Sequence, residues 1–378
     1  MQAILSREEK GRMIADKQGQ IMRVDDVSYR VASQSSEKMY DVRRKENEAW
    51  ICNCFDYYYR HLRCKHIIAV EISQRLRDKV RENVLIEPVT VSTCLACGSG
   101  HLKKFGIRRN KCGDIQRFCC LDCHKTFSVN LGFERMKHSP QGITTAMQLY
   151  FSGESLRNTA RSLRLIGVQV SYRTVLNWIN KYTVLMEKYL DKITPQVSDT
   201  WRADELFLTV KGNMKYLYAL MDDQTRFWIA QEVADTKNTA DVRPLFQQGK
   251  RIAGKQPKTL ITDGAPNFHE AYEKEFYTNR LETRTEHIRE IALDGVRHNN
   301  KMERMNGEIR QREKVMRTLE RPDTEILRGM QIYHNYIRPH EALKGKTPSE
   351  VAGIEVEGDN KWLTLIQNAS THSKKTKS

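Results

Sequence analysis

The chain has 378 residues, 29% of them charged and 39% apolar, which suits a folded protein of two to four domains and excludes a single small one. Its 63 lysines and arginines against 47 acids leave a net charge of +16, which favours a polyanionic partner, nucleic acid first. No run approaches the ~18 consecutive apolar residues of a membrane span, and the opening residues turn charged too early for a secretory signal, so a cytoplasmic protein is expected.

All nine cysteines lie in the first 123 residues, and without an export signal they read as metal ligands rather than disulfides. The first group is Cys52 and Cys54, followed after nine residues by Cys64 and His66. Around it, β-prone residues 40–42 and 50–51 and a helical run 67–80 predict a hairpin-plus-helix unit too small to hold itself without metal. Three thiolates and an imidazole in C-x-C…C-x-H order supply four ligands for tetrahedral zinc; the bland alternative is reduced structural cysteines beside a chance histidine. The second group pairs Cys94 and Cys97 with Cys120 and Cys123, separated by 22 residues, slightly beyond the usual zinc-ribbon window. Segments 102–107 and 115–118 suggest a hairpin and 126–129 a third strand. Cys119 competes with Cys120 for the third ligand position, and Cys112 is a spare.

Residues 101–200 carry 16 basic against 7 acidic side chains, whereas 201–378 carry 30 against 26, so the basic excess lies in the first of these stretches. From 144 to 189 the pattern is helical. Leu156, Ala160 and Leu163 share one face, with Arg157, Arg161 and Arg164 on the adjoining one. Gly167 breaks the helix and Ser171 caps the next. There Val175, Leu176 and Ile179 face inward, and Arg173, Asn177 and Lys181 form an outward stripe at i, i+4, i+8. This predicts a helix-turn-helix whose second helix enters a DNA major groove; the alternative is a helical hairpin with solvated charges. Residues 194–200 read as a linker.

Three β-prone runs follow at 201–210, 215–221 and 227–233, then a helix at 239–253 and a buried-type strand at 259–262. That order begins a mixed sheet with helices on its faces. Asp204 interrupts the first run, where an aspartate is costly unless paired or bound to metal. Asp263 ends the last strand before Gly264, which permits close approach of the backbone. On a helix from 300 to 319, Met302, Met305, Ile309, Met316 and Leu319 form the buried face. Glu303 heads the adjoining stripe with Gly307, Arg310, Lys314 and Arg317, a carboxylate followed by cations, as metal binding beside a DNA backbone requires. Glu205, Asp222, Asp223 and Asp294 read as structural or supporting acids, and the tail after Gly358 as disordered.

In these settings Asp204, Asp263 and Glu303 resemble the DDE triad of insertion-sequence transposases and retroviral-type integrases, which implies an α/β RNase H-like catalytic core. Arg310, seven residues after Glu303, matches a basic residue those enzymes often carry, and residues 335–348 (NYIRPHEALKGKTP) look like the closing segment of the same domain. The C-x-C-x9-C-x-H unit is similar to the SWIM zinc finger. The expected organisation is a SWIM-type region at 1–88, a zinc ribbon at 89–138, a helix-turn-helix at 139–196, the catalytic domain at 197–352 and a tail at 353–378. The interval of 39 residues between Asp263 and Glu303 is longer than in bacterial relatives, so an extra loop at 279–287 is expected. The resemblance implies two Mg²⁺ (or Mn²⁺) ions on Asp204, Asp263 and Glu303, cleavage and strand transfer of double-stranded DNA at element ends and target, and a homodimer or larger assembly. Rival readings are a non-catalytic, zinc-dependent DNA-binding regulator derived from a transposase and a nuclease that cuts without rejoining.

Overall fold

The computed structural model describes residues 6–17, 20–23, 28–34, 38–45, 49–80, 83–89, 91–110, 113–128, 131–279, 284–289, 300–316 and 324–375. The chain divides into two units, Met1–Glu82 and Asn83–Ser378.

In the first unit, α1 (Arg7–Ala15) begins at Ser6, whose hydroxyl and Glu9 form a reciprocal capping box. Four short strands, β1 (Ile21–Arg23), β2 (Ser28–Ala32), β3 (Met39–Arg44) and β4 (Trp50–Cys52), make an antiparallel sheet in chain order. The helices α2 (Phe55–Arg60) and α3 (Lys65–Val80) follow. The expected hairpin is thus half of a four-stranded sheet: Tyr29 and Val31 of β2 alternate inward, but three to five residues are too few to announce a strand by period alone. Its core of Ile14, Tyr29, Val31, Val42, Ile67 and Val70 closes around Cys52, Cys54 and Cys64.

The second unit opens with β5 (Val84–Ile86) and the three-stranded antiparallel sheet β6 (Leu102–Asn110), β7 (Gly113–Cys120), β8 (Thr126–Ser128), as the sequence predicted. Three helices follow: α4 (Pro140–Ser152), α5 (Leu156–Leu165) and α6 (Tyr172–Leu190), the last capped by Ser171. They are not a free-standing module. Ile143, Met147, Phe151, Trp178 and Tyr182 share one continuous core with the large sheet that follows. Nor is 194–200 a loose tether, because Val197 is buried and Ser198 donates its backbone N–H and hydroxyl to Asp222.

That large sheet contains β9 (Thr200–Val210), β10 (Asn213–Asp222), β11 (Trp228–Ala234), β12 (Thr259–Thr262) and β13 (Glu286–Arg289), in spatial order β11-β10-β9-β12-β13. The first three are antiparallel neighbours; β12 runs parallel to β9, and β13 parallel to β12. Lys211 and Gly212 both take positive φ, the two-residue turn that matches strand twist between β9 and β10. Residues 217–221 of β10 are buried without alternation, as a central strand covered on both faces must be. The return from β11 to β12 is α7 (Thr239–Ala253), and a Cβ on its Gly249 would collide with Leu220, so glycine is what lets the helix lie close on the sheet.

Beyond β12 come α8 (Pro266–Glu275), β13, α9 (Asn300–Met316), α10 (Glu325–Ile332) continuing into a π-helical turn at Tyr333–Ile337, α11 (Pro348–Val351), β14 (Ile354–Val356) and α12 (Lys361–Lys375). Two expectations are corrected here. Of the extra loop expected at 279–287, residues 280–283 lie outside the described residues, and its last two residues belong to β13, a four-residue strand whose charged ends, Glu286 and Arg289, hide it in the sequence. The tail is ordered through residue 375, with 376–378 outside the described residues: β14 pairs parallel with β5, and α12 buries Trp362, Leu365, Ile366 and Ala369, an i, i+3, i+4, i+7 stripe that its lysine-rich end masks. Among the described residues no helix is long and apolar enough to cross a membrane.

Candidate active site and metal centres

Strand register builds the acidic centre. Ile261 of β12 pairs in parallel with Arg202 of β9, and continuing that register by two residues brings Asp263 level with Asp204, on the same side of neighbouring strands. Pairing stops at Arg202, so the two aspartates sit where the strands part, with room between them. One carboxylate oxygen from each of Asp204, Glu205 and Asp263 lies within 4.8 Å of the others. Asp204 Oδ1 accepts the Glu205 backbone N–H at 3.0 Å and Oδ2 the Asn306 side-chain amide at 2.8 Å. Asp263 Oδ1 accepts from the Ala265 N–H at 3.0 Å, bending the chain at Gly264, whose φ of +87° excludes most side chains.

Burial, reinforced by the charges of Glu205 and Asp263, pushes the Asp204 carboxyl up to about 7. Glu205 is held by Lys237 at 2.6 Å through one oxygen, while its buried Oε2 has no hydrogen-bond partner among the described residues. Three converging carboxylates, one of them with an orphaned oxygen, form a hard-oxygen donor set that fits a divalent cation.

Glu303 lies outside that group of three. It is exposed on α9, one turn before Asn306 and on the same side of the helix. Met302, Met305 and Ile309 are buried as expected, whereas Met316 and Leu319 lie outside the described side chains. Arg310 and Lys314 are exposed further along α9; Arg317 falls outside the described residues. Two supporting acids behave as expected. Asp222 is fully buried and accepts from Ser198 and Thr225, and Asp223 joins Arg202 to Lys301. Asp294 lies outside the described residues. Glu205, expected to be structural, instead joins the cluster. Asn306 was missed because its amide carries no charge signal; only its place three residues after Glu303 pointed to it.

The soft-ligand centres assemble as the spacing required. Cys52, Cys54, Cys64 and His66 converge, all buried, with His66 Nδ1 3.8 Å from Cys52 Sγ and 4.0 Å from Cys64 Sγ. Cys94, Cys97, Cys120 and Cys123 form the second group, which answers the competition in favour of Cys120 over Cys119; Cys112 is outside the described residues. Cys94–Cys123 and Cys97–Cys120 sulfurs stand 3.6 Å apart, too far for a disulfide. A metal tetrahedron with ~2.3 Å sulfur bonds has edges of roughly 3.7 Å. The Ala96 backbone N–H points at the Cys94 sulfur and lowers its pKa to about 6, which favours the thiolate form a metal takes.

On α6, Arg173 and Asn177 are exposed on the first two turns. Lys181 is also exposed, but its Nζ folds onto Met136 Sδ at 3.3 Å, and burial lowers its pKa. Arg157, Arg161 and Arg164 are exposed on α5, with the Arg157 guanidinium over the Tyr172 ring.

A family model described as a DDE domain, of the IS240 transposase type, matches residues 198–340. The transposase of the insertion sequence-like element IS431mec from Staphylococcus aureus is 29% identical over 130 residues, 33% of this chain and 55% of that protein. The transposase of insertion sequence IS257 in transposon Tn4003, also from Staphylococcus aureus, matches to the same extent. The chain thus spans about half the length of these relatives. The iso-IS1N insertion element protein InsA of Shigella dysenteriae is 34% identical over 84 residues, 22% of this chain and 87% of that protein. Among solved structures, the catalytic core domain of the HTLV-2 integrase in complex with magnesium aligns with 42% of this chain and 98% of its own, at 17% identity and a TM-score of 0.29. With the match spanning the sheet from β9 through the helix that bears Glu303, residues 198–340 form a DDE domain of the insertion-sequence transposase type.

Proposed function

We propose that the chain binds the ends of a mobile DNA element and catalyses strand cleavage and strand transfer with Asp204, Asp263 and Glu303 as its catalytic carboxylates. The observation that carries this reading is the parallel register of β9 and β12, which aligns two aspartates from separate strands beside a helix that presents a glutamate. Asp204 and Asp263 are the residues to hold Mg²⁺ or Mn²⁺, and Glu303 completes the set from α9. When bound, such ions activate the attacking oxygen and neutralise charge at phosphorus. The chain's own part is positional. Asn306 fixes the rotamer of Asp204, the Gly264 turn fixes Asp263, and Lys237 draws one Glu205 oxygen aside.

The two cysteine-rich centres take zinc in this reading, one SWIM-type and one ribbon-type, and serve as structural supports for DNA-holding surfaces. Arg173 and Asn177 meet bases, Lys181 stays folded onto Met136 beside them, and Arg310, Lys314 and Arg317 meet the backbone near the reacting phosphate. Each site handles one DNA end, so a homodimer or larger assembly is required to pair two ends. The working compartment is the cytoplasm, where a bacterial chromosome lies.

The test is excision and integration of a marked element with its own flanking DNA, driven by wild-type or Asp263→Asn protein. Movement with wild type alone supports the reading. Intact end binding with no movement by either protein favours the non-catalytic regulator, and equal movement by both removes Asp263 from the mechanism.

A further inference from the structure

Nine residues separate Glu303 from Arg312, two and a half turns of α9, so the two side chains leave opposite sides of the helix. Arg312 is only 6% exposed. Its guanidinium lies 4.7 Å from the centroid of the Tyr150 ring, and Nη1 donates to the Glu154 carbonyl at 3.4 Å. Nε and Nη2 have no hydrogen-bond partner among the described residues. These two N–H groups form one edge of the guanidinium and point the same way. Arg7 uses that same edge to hold both oxygens of Asp56, each at 2.9 Å. In Arg312 the edge is buried with no carboxylate bonded to it among the described residues, and Tyr150 and Glu154 offset only part of the cost of burying the cation.

Arg312 lines a cavity of about 450 Å³ between α9, the end of α4 and the π-helical turn. Lys314, Arg338 and Glu308 are its other charged walls. Arg338 is already committed to Glu308 at 2.6 Å, which leaves the Arg312 guanidinium as the cation open to a ligand. Phe151, Trp228 and Tyr333 add apolar and aromatic walls.

We propose that this cavity is an oxyanion site that takes a phosphate group, two of whose oxygens accept from Nε and Nη2 of Arg312. The planar two-pronged edge matches two oxygens of a phosphate, and the volume beyond a bare phosphate accommodates an attached sugar or base against the aromatic walls. Burial holds the Arg312 pKa below its ordinary value, and a bound anion reverses that penalty. The phosphate is either a free ion or a DNA phosphodiester remote from the catalytic face; the chemistry at Arg312 is the same.

The test uses the full chain as wild type, Arg312→Lys, which keeps charge but loses the two-pronged edge, and Arg312→Met, which removes both. Two probes separate the sources: inorganic phosphate, followed by thermal melting against chloride at matched ionic strength, and a short duplex without element ends, followed by fluorescence anisotropy. The expected result is that one probe binds wild type at least about ten-fold more tightly than Arg312→Lys. A difference for phosphate assigns a small-ion site, and a difference for the duplex alone assigns a backbone contact. Phosphate stabilisation and duplex affinity that are both equal in wild type and Arg312→Lys overturn the proposal, whether or not Arg312→Met folds. Cleavage is not the readout, so the outcome is independent of the catalytic assignment.

Discussion

The Asn306 side-chain amide donates to Asp204 Oδ2 at 2.8 Å, joining helix α9 to strand β9 across 102 residues of sequence. Glu303 lies one turn earlier on the same side of α9, so this bond helps set where the glutamate stands relative to the aspartates. It also lowers the Asp204 pKa, against the larger effect of burial. Asn306→Ala is therefore expected to slow cleavage by roughly 10–100-fold while shifting the acid limb of the pH–rate profile upward. Rates on a labelled element end between pH 6 and 9 check this. A slower enzyme with an unmoved limb would reduce Asn306 to a packing role.

Asp204 makes metal-free protein less stable at the pH where it works. Its carboxyl titrates near 7 in the folded chain, above the usual 3.8, so folding takes up a proton between those values. The stabilisation this gives is complete below about pH 4 and lost as pH rises through 7, up to roughly 4 kcal/mol in all. At pH 8 without divalent ions, Asp204→Asn should melt at a higher temperature than wild type. Added Mg²⁺ should raise the wild-type melting temperature and leave the variant nearly unmoved. Equal melting curves at pH 8 would show that burial of this carboxylate carries no cost.

Glu205 and Glu303 compete for the role of third carboxylate. Glu205 stands within 4.8 Å of both aspartates but is engaged by Lys237, whereas Glu303 is exposed on α9 and carries no such partner among the described residues. Glu303→Gln is expected to cut strand cleavage by about a hundred-fold or more, and Glu205→Gln by less than about ten-fold. Metal-dependent cleavage of a pre-formed element end measures both. The opposite ranking would assign the third ligand to the strand rather than the helix.

The sequence made the β9–β12 order and helix α9 readable because long apolar runs and a strong helical period survive without context. It also made both soft-ligand sets readable, since four ligands at fixed spacing have few other uses. What escaped it was set by tertiary contact. Glu205 read as a structural or supporting acid, whereas the fold brings its carboxylate to the same centre as Asp204 and Asp263. α12 looked disordered because its terminal lysines outweigh the four residues that pack it down. Strands of three or four residues, such as β1 and β13, carry too little period to be recognised without a partner strand.

The first unit should depend on its metal. Cys52, Cys54 and Cys64 belong to its small hydrophobic core, and His66 is buried with an Nε2 that has no partner among the described residues. Removing the ion leaves three buried thiols and an imidazole in a core too small to absorb the loss. Elemental analysis of purified protein should give two zinc ions per chain, and Cys54→Ser should lower that to one. The variant should also become sensitive to proteolysis within 1–82 and not within the second unit. Retention of two zinc ions by Cys54→Ser would break the assignment of that centre.

The exposed stripe on α6 makes a prediction that separates reading bases from gripping phosphates. Arg173 and Asn177 are exposed on the first two turns, next to the arginines of α5, whereas Lys181 is folded back onto Met136. A base-reading Arg173 contributes to specific ends and little to random DNA, so Arg173→Ala should cost about 1–3 kcal/mol on an element end and much less on a scrambled duplex. Arg161→Ala, on the neighbouring helix, should weaken both equally and reduce the slope of log affinity against log salt by about one. Lys181→Ala should change neither by more than about two-fold, since its ammonium already leans on a thioether and an aromatic face. Anisotropy titrations of both duplexes at three salt concentrations distinguish these cases. A uniform loss for Arg173→Ala would move sequence reading away from α6, leaving the two metal-held modules to recognise the element's ends.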